Sequence, residues 1–151
     1  MPKTNSKIDE DIKFQIDRAK ELLKELEESC KSNTQSGTVS EKTNNLTHEV
    51  LAKMRNVLDQ SMYRFFEKAI APSLSDDDKN KARTRVYFPI AENRAGLKSM
   101  FGKGKMVNID TTHPDMYKFL ESVQPYNTKF SWLSDFSRLV NKKHTRLTAI
   151  E

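Results

Sequence analysis

The stretch Trp132-Leu133-Ser134-Asp135-Phe136-Ser137-Arg138-Leu139-Val140-Asn141-Lys142-Lys143-His144-Thr145-Arg146 holds residue types that can act on a phosphodiester without a metal. Arg138, Asn141 and His144 climb at three-residue steps, so on a helix neighbours touch although the ends diverge. Arginine supplies a fixed fork for phosphate, and histidine titrates near neutral pH. The asparagine is an orienting amide. In RNA such an imidazole takes the proton of the 2′-hydroxyl or protonates the leaving 5′-oxygen. The guanidinium stabilises charge developing on the phosphorus oxygens. One imidazole per chain does not easily serve as both acid and base, so such a site favours pairing two copies in a dimer. The plainer reading is a basic helix end, with Lys142, Lys143, His144 and Arg146 complementing the C-terminal dipole.

Positive charge supports the same region. The chain carries 26 Lys+Arg against 21 Asp+Glu, a net +5, and the excess is uneven. Residues 1–31 hold seven basic and eight acidic side chains; residues 79–105 hold eight basic side chains against Glu92 alone. Residues 129–146 hold five against Asp135. Arg83, Arg85, Lys98, Lys103 and Lys105 in the middle, with Lys142 and Arg146 at the end, are the candidate nucleic-acid contacts. Their attraction for phosphate would be salt-dependent through counterion release. The plainer reading is a solvated basic surface. Tyr87, Phe88, Tyr126, Phe130 and Trp132 could stack on unpaired bases, or fill the core and crossover.

Other chemistries lack their residues. His48, Glu49 and His113 are scattered, with no His-x-x-x-His or Glu-x-x-His spacing for a metal. Asp76-Asp77-Asp78 lacks the spaced acceptors and glycine of a calcium loop and reads as helix-start charge. Gly102-Lys103-Gly104-Lys105 lacks the spacing of a phosphate loop and reads as a turn. Ser61 and Ser137 have no His/Asp companions. No cofactor is expected.

The elements that position these residues are helical. Ile12, Ile16, Ala19, Leu23, Leu26 and Cys30 form a heptad-like stripe on a helix from about 7 to 31, capped by Ser6. A polar loop over 32–42 leads to a second helix from about 44 to 71, with Leu46, Val50, Met54, Val57, Ser61 and Phe65 on one face and Pro72 as its stop. The pair reads as an antiparallel hairpin. Ser75 begins a short helix to about Ala82. Val86-Tyr87-Phe88-Pro89-Ile90 is extended, because Pro89 biases its predecessor out of the helical region. A short helix over 93–101 presents Leu97, Met100 and Phe101. Pro114 opens a helix to about Val123 with Thr112 or His113 as cap. The last helix, about 129–147, buries Leu133, Phe136, Val140 and Leu147. The expected fold is all-α: an antiparallel bundle of four main helices with an irregular crossover containing short helices.

One hundred and fifty-one residues fit a single helical domain, 1–151. With Gly 4 and Pro 5 in a chain that is 31% charged, an all-β sandwich or barrel is disfavoured. No apolar run reaches membrane-spanning length, and Met1-Pro2-Lys3-Thr4 opens no signal-peptide stretch. A lone Cys30 excludes an internal disulfide framework and a cysteine-built zinc site. A cytoplasmic protein is expected.

Several stations resemble a family. Arg18-Ala19-Lys20-Glu21-Leu22-Leu23-Lys24-Glu25-Leu26-Glu27, Met54-Arg55-Asn56-Val57-Leu58-Asp59-Gln60, Tyr87-Phe88-Pro89-Ile90, Val123-Gln124-Pro125-Tyr126 and the final Asn/Lys/His stretch occur in the order of a bacterial and phage branch that is similar to the HEPN superfamily. That resemblance covers most of the chain. It implies a small, dimeric HEPN-like helical bundle and an Arg…His motif carried by Arg138 and His144, with Asn141 and Lys143 supporting. Two functions follow from it. One is a module that dimerises and binds RNA or a partner domain. The other is a metal-independent endoribonuclease of toxin or phage-defence type, whose partner would be an antitoxin protein. The chain ends just past the motif, where this branch usually continues, so it reads either as the N-terminal part of a longer protein or as a short natural variant.

Overall fold

The computed structural model describes residues 5–101 and 108–141. Every regular element among them is helical, so the fold is all-α. Two long helices, α1 (Asn5–Ser36) and α2 (Glu41–Phe65), precede five shorter ones: α3 (Asp76–Arg83), α4 (Arg94–Phe101), α5 (Ile109–Thr112), α6 (Pro114–Ser122) and α7 (Trp132–Asn141). The chain divides into two compact units, Met1–Val57 with Leu139–Glu151, and Leu58–Arg138.

The first unit contains the α1–α2 hairpin. The α1 helix runs past the expected end near 31 because its late polar residues bond locally. Thr34 Oγ1 donates to the Cys30 carbonyl, 2.9 Å away. Gly37, at φ +74°, then ends the helix, its N–H reaching the Asn33 carbonyl at 2.8 Å. α2 starts at Glu41, three residues before the expected start, and Ser40 just ahead of it acts as the cap: its hydroxyl accepts the Thr43 N–H at 3.2 Å.

The face α1 turns inward differs from the apolar stripe. Leu22 is buried with Leu46 and Val50, and Leu26 and Met54 pack beside them. Ile16, Leu23 and Cys30 are exposed. The inward heptad is Ile12, Gln15, Ala19, Leu22, Leu26, Ser29 and Asn33, one position earlier at every second step. It wins because its polar members find partners. Lys53 Nζ donates to Gln15 Oε1 at 2.7 Å. The buried Thr43 hydroxyl is bonded by Ser29, Asn33 and Ser40.

In the second unit the buried stripe of α2 continues by fours through Met62 and Phe66, not through Ser61 and Phe65. The helical path then widens into a π turn, Phe66–Ile70, whose Phe66 carbonyl accepts from the N–H of Ala71. A 3₁₀ turn, Ala71–Ser73, holds Pro72 and ends it. Met62, Phe66, Ala82, Phe88, Leu97, Phe101, Ile109 and Leu120 form one core. Ser75 caps α3, accepting the Asp78 N–H at 3.2 Å, with three aspartates in the first turn. Pro114 opens α6 behind His113, whose side chain makes no capping bond. The short α5 has no counterpart in the sequence expectation. Residues 128–130 form a separate 3₁₀ turn, so α7 begins at Trp132 instead of about 129. Leu147 lies outside the described residues.

Candidate functional site

Helix α7 buries Leu133 and Phe136. Trp132, Asp135 and Arg138 are exposed at three-residue steps along α7, each beside the next, and Asn141, one step further on, is exposed too; the steps wind around the helix, so Trp132 and Asn141 end on opposite sides of it. Trp132 is 50% exposed and meets Phe136 edge to face, with centroids 6.2 Å apart. That contact fixes the indole while leaving surface open for stacking. Arg138 Nη2 donates to Asp135 Oδ1 at 2.8 Å, and both side chains are mostly exposed. Such a pair is worth at most about 1 kcal/mol, so a phosphate can displace the carboxylate. Ser134 Oγ donates to Glu92 Oε1 at 2.6 Å, anchoring α7 to the segment before α4.

The remaining expected site residues divide in two. Lys142, Lys143, His144, Arg146, Lys103 and Lys105 lie outside the described residues. Arg85 and Lys98 are exposed, the first just after α3 and the second in the last turn of α4. Arg83 is held by a structural partner. Its Nε donates to Glu67 Oε1 at 2.8 Å and its Nη2 to Glu67 Oε2 at 3.4 Å, tying α3 to the π turn. The hydrogen bond from Arg83 holds the Glu67 carboxyl below its ordinary value, against the opposing effect of burial, with help from the Tyr63 hydroxyl. Burial, then the hydrogen bond to Glu67, pushes the Tyr63 phenol up. Among the described residues no bond joins Arg83, Arg85 or Lys98 to Arg138. Of the candidate stacking aromatics, Tyr87 and Trp132 are exposed, Phe88 is buried, and Tyr126 and Phe130 are half-buried.

Three of the sequence stations meet around the extended segment 86–91. Asp59 Oδ1 accepts the Phe88 N–H at 2.8 Å. Gln124 is fully buried: its Oε1 accepts the Ala91 N–H at 2.8 Å, and its Nε2 donates to the Pro89 carbonyl at 3.0 Å and the Leu120 carbonyl at 2.9 Å. An extended strand without a sheet partner leaves backbone groups to be satisfied by side chains. Asp59 and Gln124 therefore do structural work here, their side chains turned to the backbone of this segment.

One concavity has no counterpart in the sequence expectation. Phe65, Thr112, His113, Pro114, Asp115, Met116 and Phe119 line an open groove of about 540 Å³. His113 Nδ1 lies 3.0 Å from Thr112 Oγ1, and its ring meets Phe65 edge to face at 5.5 Å. Its signal was Thr-His-Pro-Asp at a helix start, where the cap position exposes a side chain beside the first turn. Among the described residues no three His, Cys, Asp or Glu side chains are grouped as metal ligands. None of the described helices is long and apolar enough to cross a membrane.

These features define an all-α protein with an aromatic, an arginine and an amide exposed on its last described helix. Compared with family models, curated proteins and solved structures, the chain matches none.

Proposed function

We propose that this chain is a HEPN-like, cytoplasmic helical module that dimerises and binds single-stranded RNA through the exposed residues of α7. The observation that carries the reading is the exposed guanidinium of Arg138 on the solvent side of α7, with Trp132 exposed before it and Asn141 after it on the same helix. Trp132 offers a stacking face for an unpaired base. Arg138 exchanges Asp135 for a phosphate and grips it with two parallel N–H groups. The Asn141 amide orients the adjoining sugar or base, and Lys142 and Arg146 follow in sequence with further positive charge. Exposed Arg85 and Lys98 supply long-range attraction.

The test is binding of a fluorescently labelled single-stranded RNA followed by anisotropy across a potassium chloride series. The reading expects affinity that falls with salt and weakens in Arg138→Ala and Trp132→Ala. RNA bound equally well by both variants, or not bound at low salt, contradicts it. A docked protein domain in place of RNA would leave anisotropy unchanged throughout.

Arg138 and His144, with five residues between them, also support a second reading, a metal-independent endoribonuclease of toxin or phage-defence type. The exposed guanidinium of Arg138 favours it, since a reacting phosphate can reach that side chain. Asn141 and Lys143 would support the pair. The same RNA, incubated with a chelator and run on a denaturing gel, is then cut by the wild type and left intact by His144→Ala. Uncut RNA in a sample that binds it leaves the binding module alone standing.

A further inference from the structure

Helix α1 carries two interleaved heptads, and α2 covers only one of them. The second runs through Ile16, Leu23 and Cys30, spaced by seven, and all three are exposed: Ile16 by 37% and Leu23 by 44%. Ile12, Ala19 and Leu26 flank this line on one side and are half-buried. Lys13, Lys20 and Glu27 flank it on the other and are exposed. Among the described residues the hairpin meanwhile buries Leu22, Leu46 and Val50 as its own apolar core. A long helix with such a line of apolar residues is built to bury it against another helix.

We infer that this line is the interface with a second copy of the chain, packed antiparallel about a two-fold axis level with Leu23. The argument for this occupant is self-complementarity. A two-fold at Leu23 sets Leu23 opposite its own copy and Ile16 opposite Cys30 of the copy, so apolar meets apolar along the line. The same operation keeps each charged flank on its own side. It therefore brings Lys20 to within one residue's rise of Glu27 of the copy, and Glu27 to Lys20 in return, two opposite-charge pairs from one sequence. A parallel arrangement, with its two-fold along the helix axis, would instead turn Lys20 and Glu27 toward the copy's opposite flank of Ile12, Ala19 and Leu26, where neither finds an opposite charge. The contact is isologous and closes, so it yields a dimer and no larger assembly.

This inference rests on the dimer part of the proposed function and not on the RNA part. Analytical ultracentrifugation of the full chain over a micromolar range, with RNA binding measured on the same samples, separates the two. The wild type is expected to sediment as a species of twice 17.5 kDa. Leu23→Glu, at a site outside the hairpin core, keeps the wild-type helical circular dichroism and becomes a monomer. Lys20→Glu weakens the dimer by about two- to tenfold, and adding Glu27→Lys restores it. Under mild oxidation Ile16→Cys is expected to form an inter-chain disulfide with Cys30 that the wild type does not form. A monomeric wild type overturns both the interface and the dimer reading. A folded Leu23→Glu variant that remains dimeric overturns this interface and leaves dimerisation itself standing. Ready cross-linking of wild-type Cys30 to itself overturns the antiparallel arrangement. Loss of RNA binding alone, with the dimer intact, counts only against the RNA reading.

Discussion

Replacing Gln124 with leucine should be the most damaging polar-to-apolar change in the second unit. Leucine fills similar space, so cavity formation contributes little. The cost comes from the Ala91 N–H and the Pro89 carbonyl, both bonded by Gln124 inside the protein. Each buried group left unsatisfied costs about 1–3 kcal/mol, so the change should cost about 2–6 kcal/mol. The Leu120 carbonyl, in the last turn of α6 where the helix ladder supplies no N–H, also loses the Gln124 amide, which adds to this cost. A whole domain is stable by about 5–15 kcal/mol, so this is a large fraction. For a chain of this size about 1 kcal/mol shifts Tm by about 2–4 °C, giving a drop of at least about 4 °C. The assay is urea denaturation by circular dichroism together with calorimetry, with Gln60→Leu on the exposed face of α2 as control, expected within about 0.5 kcal/mol of wild type. A Gln124→Leu protein that melts within about 2 °C of wild type would refute the clamp.

Three further outcomes follow from the same geometry. Thr43→Val keeps the shape of a buried side chain but strips the hydroxyl that Ser29, Asn33 and Ser40 share; urea denaturation should show about 1–3 kcal/mol lost. Arg83→Gln should lower stability at neutral pH. Glu67 has a folded-state value below its unfolded one, so its contribution is present above the ordinary carboxylate range and is lost as pH falls through the folded value. The gap between wild type and Arg83→Gln should therefore narrow on acidification, read by melting curves across pH; a gap that widens in acid would contradict the pairing. Arg138→Ala should leave stability within about 0.5 kcal/mol, since its ion pair with Asp135 is local and exposed, and thermal melting checks this.

Much of the fold could be read from spacing. Ser75 with three aspartates, Pro114 at a helix start, and Leu133 with Phe136 all behave as their patterns imply. The register of α1 could not. Its sequence offers two heptads, and the more apolar one, through Ile16 and Leu23, is the one left outside. Hydrophobic periodicity ranks faces by apolar content, whereas the inward face was chosen by partners on α2: Lys53 for Gln15, and Thr43 for Ser29 and Asn33. Those partners are distant in sequence. For the same reason Gln124 gave no sign of being a buried clamp, because its role depends on an extended segment more than thirty residues away. In the candidate site, the row of Arg138 and Asn141 followed from helical spacing, but the outward turn of Trp132 and the Asp135 partner of Arg138 did not. Arg83 looked like one more surface cation until Glu67 appeared beside it.

In the proposed complex Arg138 meets a phosphate of bound RNA. The most direct measurement is the slope of log affinity against log salt for wild type and Arg138→Ala on one single-stranded RNA. Losing a single phosphate contact should weaken binding and flatten the slope by about 0.7, the value for one neutralised charge on a single strand. Equal slopes and equal affinities for the two proteins would contradict the claim.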